Sequence, residues 1–295
     1  RAFDYAGVEA RGAIGHVRYA GEGQPVPVNI QPLTFTSRLG PMALAHNGRF
    51  VNGPEIRARL GQQGSIFQTG SGIEVVAHLL ARSTTADLEG AMVSALGQVR
   101  GAYSLLILTP DRLLAVRDPH GIRPLVLGKF KGGWLVASET CALDTVGGDF
   151  VREVGPGEMV SLSSRGLEST LLFPRRKQAF CIFEYIYFAR PDSVFGGRNV
   201  HMVRREMGRA LANEAPADAD IVTGIPDSSL SAAAGYAEAA GLPYETGLIR
   251  NRYLGRTFIR PNQKQRARGV ALKLNPIRGV VDGKRVVLVD DSLIR

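Results

Sequence analysis

Val286-Val287-Leu288-Val289-Asp290-Asp291-Ser292 decides how the second half of this chain folds. Four consecutive apolar residues make a buried strand. Two acids then emerge at its carboxyl end, where open α/β sheets bind their ligands. Adjacent carboxylates in that place can hold ribose hydroxyls and a hydrated Mg²⁺. A solvated acidic turn is the plainer alternative.

Working outward from this strand, the spacing predicts a helix over 203–214, a buried strand over 221–225, an Ala-rich helix over 230–240 and strands over 244–248 and 285–289. Alternating strands and helices imply a parallel α/β sheet. Pro226-Asp227-Ser228-Ser229 lies between a strand and a helix, where Asp and Ser serve well as N-caps. The first half has a different grain. Short apolar stretches at 13–17, 42–45, 103–108, 113–116 and 134–137 are punctuated by Gly, Pro, Asn and Asp, and read as strands. Helical spacing appears at 54–60, 73–82 and 88–96. This is a layered α+β pattern. The basic, Pro-containing stretch Phe173–Lys177 separates the two patterns, so the expected domains are 1–175 and 176–295.

The net charge is +9. A generally basic surface explains it, and so does a phosphate-rich partner. The basic residues thicken between Arg250 and Arg285 among glycines and prolines, which suits a phosphate-gripping loop better than a duplex-reading helix, so no nucleic-acid partner is expected. No run of eighteen apolar residues is present, so no membrane span is expected. Two cysteines, Cys141 and Cys181, make no disulfide framework, and a reducing cytoplasm is the simplest compartment. The chain opens without a Met and stops on a strand that runs into a site, so we expect further sequence at both ends and neither half-reaction from these residues alone.

The run ending in Asp290 and Asp291 resembles the phosphoribosyl-diphosphate (PRPP) motif of type I phosphoribosyltransferases. Asn251-Arg252-Tyr253-Leu254-Gly255-Arg256-Thr257-Phe258-Ile259 is similar to the catalytic loop of the amidophosphoribosyltransferases. The resemblance implies that Arg256, Thr257, Phe258 and Lys273 contact PRPP, and that Ser228, Asp290 and Asp291 form a Mg²⁺ site. Phe183-Glu184-Tyr185-Ile186-Tyr187-Phe188-Ala189-Arg190-Pro191-Asp192-Ser193 matches the same family but carries no chemistry that can be derived from its residues. Cys181 occupies a position that ligates a [4Fe–4S] cluster in one branch, although a cluster needs about four thiolates. Cys141 reads as a buried structural residue.

Gly15-His16-Val17-Arg18-Tyr19 and Ala45-His46-Asn47-Gly48 resemble the class II, N-terminal-nucleophile glutamine amidotransferases. The implied fold is an αββα glutaminase followed by a type I phosphoribosyltransferase sheet, both incomplete. Arg18 would clamp the glutamine carboxylate bidentately. Asn47 and Gly48 would form an oxyanion hole, whereas on residue type alone Asn-Gly reads as a hairpin turn. The nucleophile of such enzymes is an N-terminal Cys with its own α-amine as base, and neither cysteine here stands in that place.

Three residues depart from the family pattern. Gly21 replaces a Thr, Arg49 an Asn, and Gly72 the Asp that holds the substrate ammonium. Losing a charge-assisted bond costs about 1.5–3 kcal/mol, so weak glutamine use or dependence on ammonia is one expectation and local compensation the other. The implied reaction turns PRPP, glutamine and water into 5-phosphoribosylamine, glutamate and pyrophosphate, the first committed step of purine synthesis. The resemblance also implies a homotetramer and feedback by purine nucleotides near Arg250, where Lys is commoner. The rivals are another class II amidotransferase, such as the one that makes glucosamine 6-phosphate, and a PRPP-binding regulator.

Overall fold

The computed structural model describes residues 10–17, 26–251 and 273–292. The chain divides into two compact units, Arg1–Cys181 and Ile182–Arg295. The residues just after 175 are tied to the first unit. The N–H groups of Arg176, Ala179 and Cys181 donate in turn to the carbonyls of Pro119, His120 and Ile122, at 2.9–3.1 Å.

The first unit contains β1 (Leu33–Ser37), β2 (Gly40–Phe50), β3 (Gly101–Leu108), β4 (Arg112–Arg117), β5 (Val126–Phe130), β6 (Gly133–Ala137), β7 (Asp149–Glu153), β8 (Glu158–Ser163) and β9 (Gly166–Leu171). Its helices are α1 (Gly53–Gln62), α2 (Ile73–Arg82), α3 (Leu88–Leu96) and α4 (Thr140–Val146). A six-stranded antiparallel sheet runs β1-β2-β3-β4-β8-β9, and a three-stranded sheet runs β6-β5-β7.

The period-two alternation of side chains sorts the strands into two cores. Leu105, Ile107, Leu114, Val116 and Met159 face one way and join Ile56, Leu60, Val76, Leu80, Met92 and Leu96 of the three helices. Leu106, Leu113, Ala115, Val160 and Leu162 face the other way and meet Leu125, Leu127 and Val136. The unit is therefore layered: helices, large sheet, small sheet. The expected strand at 13–17 does not form. It pairs with no strand among the described residues, and Val17 is 99% exposed.

The second unit contains β10 (Val194–Phe195), β11 (Arg198–Asn199), β12 (Ile221–Gly224), β13 (Leu248–Arg250), β14 (Leu274–Pro276) and β15 (Val286–Val289), with helices α5 (Val200–Glu214), α6 (Leu230–Ala240) and the single turn α7 (Arg278–Val281). β12 and β15 are parallel, Ile221 opposite Val286 and Gly224 opposite Val289. Arg285 fixes that register from the amino-terminal end by pairing with Asp218 and Asp220. α5 and α6 pack backbone to backbone, since a Cβ on Gly208 would stand 1.9 Å from the Ala232 carbonyl oxygen. The strand expected over 244–248 is reduced to one parallel bridge between Tyr244 and Val222. Gly247 turns the chain there, donating its N–H to Thr223 Oγ1 and Glu245 O, and the strand that follows pairs antiparallel with β14.

Candidate functional site

Asn47 and Gly48 lie inside β2, opposite Ser104 and Tyr103 of β3. They are not a hairpin turn. Gly48 has φ +144°, and a Cβ there would stand 2.1 Å from the Ala102 carbonyl oxygen, so the strand admits only glycine. Asn47 is half-buried and Gly48 exposed, which leaves an amide side chain and an unobstructed backbone beside each other at the sheet surface.

The residue before them is anchored. His46 donates its N–H to Gln31 Oε1 at 2.7 Å, and its ring stacks on Phe50 with 4.2 Å between centroids. Burial lowers its pKa to about 4; the Ala102 carbonyl opposes this, and the charges of His16 and Arg123 add to it. His46 is thus neutral near pH 7. Across the ladder Ser104 donates its hydroxyl to Pro124 O at 3.1 Å. The 118–124 loop so reached is held by two buried ions. Asp118 accepts the N–H groups of His120 and Ile122, and Arg117 donates to the carbonyls of Gly121, Arg123 and Val154.

Gly72 stands at the N-cap of α2 with φ −61° and ψ −26°, an ordinary right-handed conformation open to any residue. The loop before it is folded around Glu74, which is 5% exposed. Glu74 Oε1 accepts the Gln68 N–H at 2.6 Å, and Oε2 accepts the Thr69 N–H and hydroxyl, both at 2.9 Å. Those bonds and the Arg57 guanidinium hold its pKa low against the opposing and largest effect, burial. Asn29 Oδ1 takes the Gly70 N–H at 2.7 Å. Arg18 and Gly21 lie outside the described residues. Arg49 follows Gly48 in β2, opposite Ala102.

In the second unit Asp290 and Asp291 emerge at the carboxyl end of β15, as its sequence requires. A cavity of about 130 Å³ is lined by Ser228, Ser229, Asp290 and Asp291 together with Arg204 and Met207. Ser229, rather than Ser228, reaches Asp290: its hydroxyl lies 3.3 Å from Oδ1, which also accepts the Asp291 N–H at 2.8 Å. Ser229 is the N-cap of α6 but makes no capping hydrogen bond. The hydroxyl serves the carboxylate instead. Asp227 is paired with Arg250 at 2.7 Å. Lys273 is buried, and its carbonyl accepts the Asn251 N–H at 2.7 Å. Arg256, Thr257 and Phe258 lie outside the described residues.

Two carboxylates and neighbouring hydroxyls are hard oxygen donors, and they fit a Mg²⁺ that keeps several waters. Cys181, the position that the resemblance assigns to an iron–sulfur cluster, is half-exposed, whereas Cys141 is buried.

Several contributors carried no signal strong enough to single them out. Ser104, Arg117, Asp118 and Arg204 act through backbone groups that only the fold brings near. Arg204 explains the motif at 183–193: its buried guanidinium donates to Tyr185 O and Ala189 O, holding the π-helical turn Glu184–Phe188.

No helix of the described residues is long and apolar enough to cross a membrane. A glutamine amidotransferase domain profile matches residues 18–145. The Bacillus subtilis amidophosphoribosyltransferase is 51% identical over 289 residues, covering 98% of this chain and 61% of its own length. The chloroplastic amidophosphoribosyltransferase of Vigna aconitifolia is 51% identical over 284 residues, covering 96% and 58%. Among solved structures, the B. subtilis glutamine PRPP amidotransferase complexed with ADP and GMP superposes with a TM-score of 0.86 at 50% identity, over 95% of this chain and 61% of that one. This chain therefore spans between half and three fifths of the length of the relatives it matches, and along nearly its whole length it is a homologue of the amidophosphoribosyltransferases.

Proposed function

We propose that the protein containing this chain makes 5-phosphoribosylamine, glutamate and pyrophosphate from PRPP, glutamine and water, at the start of purine synthesis. The observation that carries this reading is the 51% identity to the B. subtilis enzyme over 98% of the chain. We read the second unit as a type I phosphoribosyltransferase sheet, the first as an αββα glutaminase. The parallel β12–β15 pair, with acids at its carboxyl end, supports the former.

In the glutaminase half, a thiolate from outside these residues attacks the glutamine amide carbon. The C–N bond breaks, ammonia leaves, and water then hydrolyses the thioester to glutamate. Arg18 holds the substrate carboxylate. The Asn47 side chain and the Gly48 N–H face the developing oxyanion, which glycine at 48 leaves uncovered. In the phosphoribosyl half, ammonia attacks C1 of PRPP and pyrophosphate departs. Asp290 and Asp291 accept hydrogen bonds from the ribose hydroxyls, while Arg256, Thr257, Phe258 and Lys273 surround the leaving group. Mg²⁺, held by Asp290, Asp291 and Ser228, would neutralise pyrophosphate charge when bound. The rest is positioning. Purine nucleotides near Arg250 as inhibitors, a homotetramer and a cytoplasmic setting complete the proposal; the ADP and GMP of the B. subtilis complex support the first of these.

The test is product stoichiometry in the full-length protein with glutamine and Mg–PRPP. Glutamate and pyrophosphate should appear in equal amounts. Glutamate alone would indicate a different class II amidotransferase, and PRPP binding without pyrophosphate release a regulator.

A further inference from the structure

We infer that Glu74 is a positioning residue of the glutamine pocket: it folds the Phe67–Ser71 loop around its own carboxylate, and it is not a substitute receptor for the substrate ammonium. The inference rests on the glutaminase reading of the first unit and goes beyond it by assigning a role to a buried acid that the reaction leaves unused.

Three observations carry it. First, both carboxylate oxygens are engaged from inside the loop, Oε1 by the Gln68 N–H at 2.6 Å and Oε2 by the Thr69 N–H and hydroxyl at 2.9 Å. Second, the loop is clamped from outside by Arg57. Its guanidinium donates to Thr69 O at 2.9 Å and Ser71 O at 3.0 Å, meets Glu74 Oε2 at 3.4 Å, and lies 4.1 Å over the Phe67 ring. Third, His78, one helical turn on, packs its ring 4.4 Å from Phe67 and brings Nε2 within 3.9 Å of Glu74 Oε1. A carboxylate surrounded in this way by short donors and two basic side chains has no open face for a further cation. The same contacts fix the chain that leads into Gly72, the position at which the family resemblance implies an acid. Glu74 therefore sets where residue 72 stands without replacing what it lacks.

Two measurements test this, Glu74→Gln being the variant. In the full-length protein, amide hydrogen exchange at Gln68 and Thr69 should quicken by about tenfold or more, as a charge-assisted acceptor is lost, while β2 and β3 amides keep their protection. In the full-length protein, the glutamine KM should rise by about tenfold or more, while ammonia-dependent pyrophosphate release stays within about twofold. Glu74→Asp, which keeps the charge, should recover part of the KM. Unchanged exchange at Gln68 and Thr69 overturns the inference. A raised KM with unchanged exchange would overturn it in favour of direct ammonium binding by Glu74. A wild-type protein that uses neither glutamine nor ammonia would defeat the functional reading instead, and the exchange result would still decide the role of Glu74 in the loop.

Discussion

The carbonyl oxygen of Ala102 occupies the space beside Gly48 in which any other residue would place its Cβ, at 2.1 Å. Strand β2 can therefore pass the surface of the sheet with a bare backbone next to the Asn47 amide. Gly48→Ala must either push β3 away or abandon φ +144°. It should destabilise the first unit by about 2–4 kcal/mol, the range of severe backbone strain with overpacking. Urea denaturation measures this, and a loss below about 1 kcal/mol would mean that the ladder yields easily.

His46 gives the first unit an acid-sensitive component. Its pKa is about 4 in the fold, against an ordinary 6.5, because burial disfavours the charged ring. The unfolded chain therefore binds the proton first as pH falls. Stability from this group is complete above pH 6.5 and is lost progressively towards pH 4, by about 3 kcal/mol at most. Glu74 and Glu158, whose pKa values are lowered, add a loss of the same sign at lower pH, so the histidine must be isolated by substitution. His46→Gln should flatten the slope of unfolding free energy between pH 6.5 and pH 4.5.

Arg117 is 1% exposed and donates to three backbone carbonyls and to Glu153. Arg117→Met keeps the bulk but strands those acceptors and leaves Asp118 without its neighbouring positive charge. A loss of about 3–5 kcal/mol is expected, as when one partner of a buried charged network is removed. Thermal unfolding of the variant should fall well below wild type, and an unchanged midpoint would show that water replaces the guanidinium.

Ser229 touches Asp290 and is itself 1% exposed. Ser229→Ala removes the hydroxyl that orients the carboxylate. Mg²⁺-dependent PRPP binding should weaken by about 10- to 100-fold, the usual cost of losing a residue that orients a metal ligand. Calorimetry with Mg–PRPP on the full-length protein gives the number. Equal affinity would mean that Asp290 is positioned by the Asp291 N–H alone.

Much of this molecule is legible in the order of its residues, for local reasons. The helices over 73–82, 88–96 and 230–240 form at those bounds because apolar spacing and flanking turns act within a few residues. β15 is a strand with two acids at its end for the same reason. The strand expected at 13–17 does not form: a strand needs a partner, and among the described residues none pairs with it. The break at Gly247 was also hidden, because it depends on the hydroxyl of Thr223, 24 residues away.

By itself the sequence determined the two grains of the chain, the helices and most strands, because each is encoded in short-range pattern. Only the tertiary structure decided that Asn47-Gly48 is a strand rather than a turn, that Ser229 rather than Ser228 holds Asp290, and that Glu74 is spent on its own loop. Each of those outcomes depends on a hydrogen bond or a close approach whose partner is set by packing, and packing is a property of the folded whole.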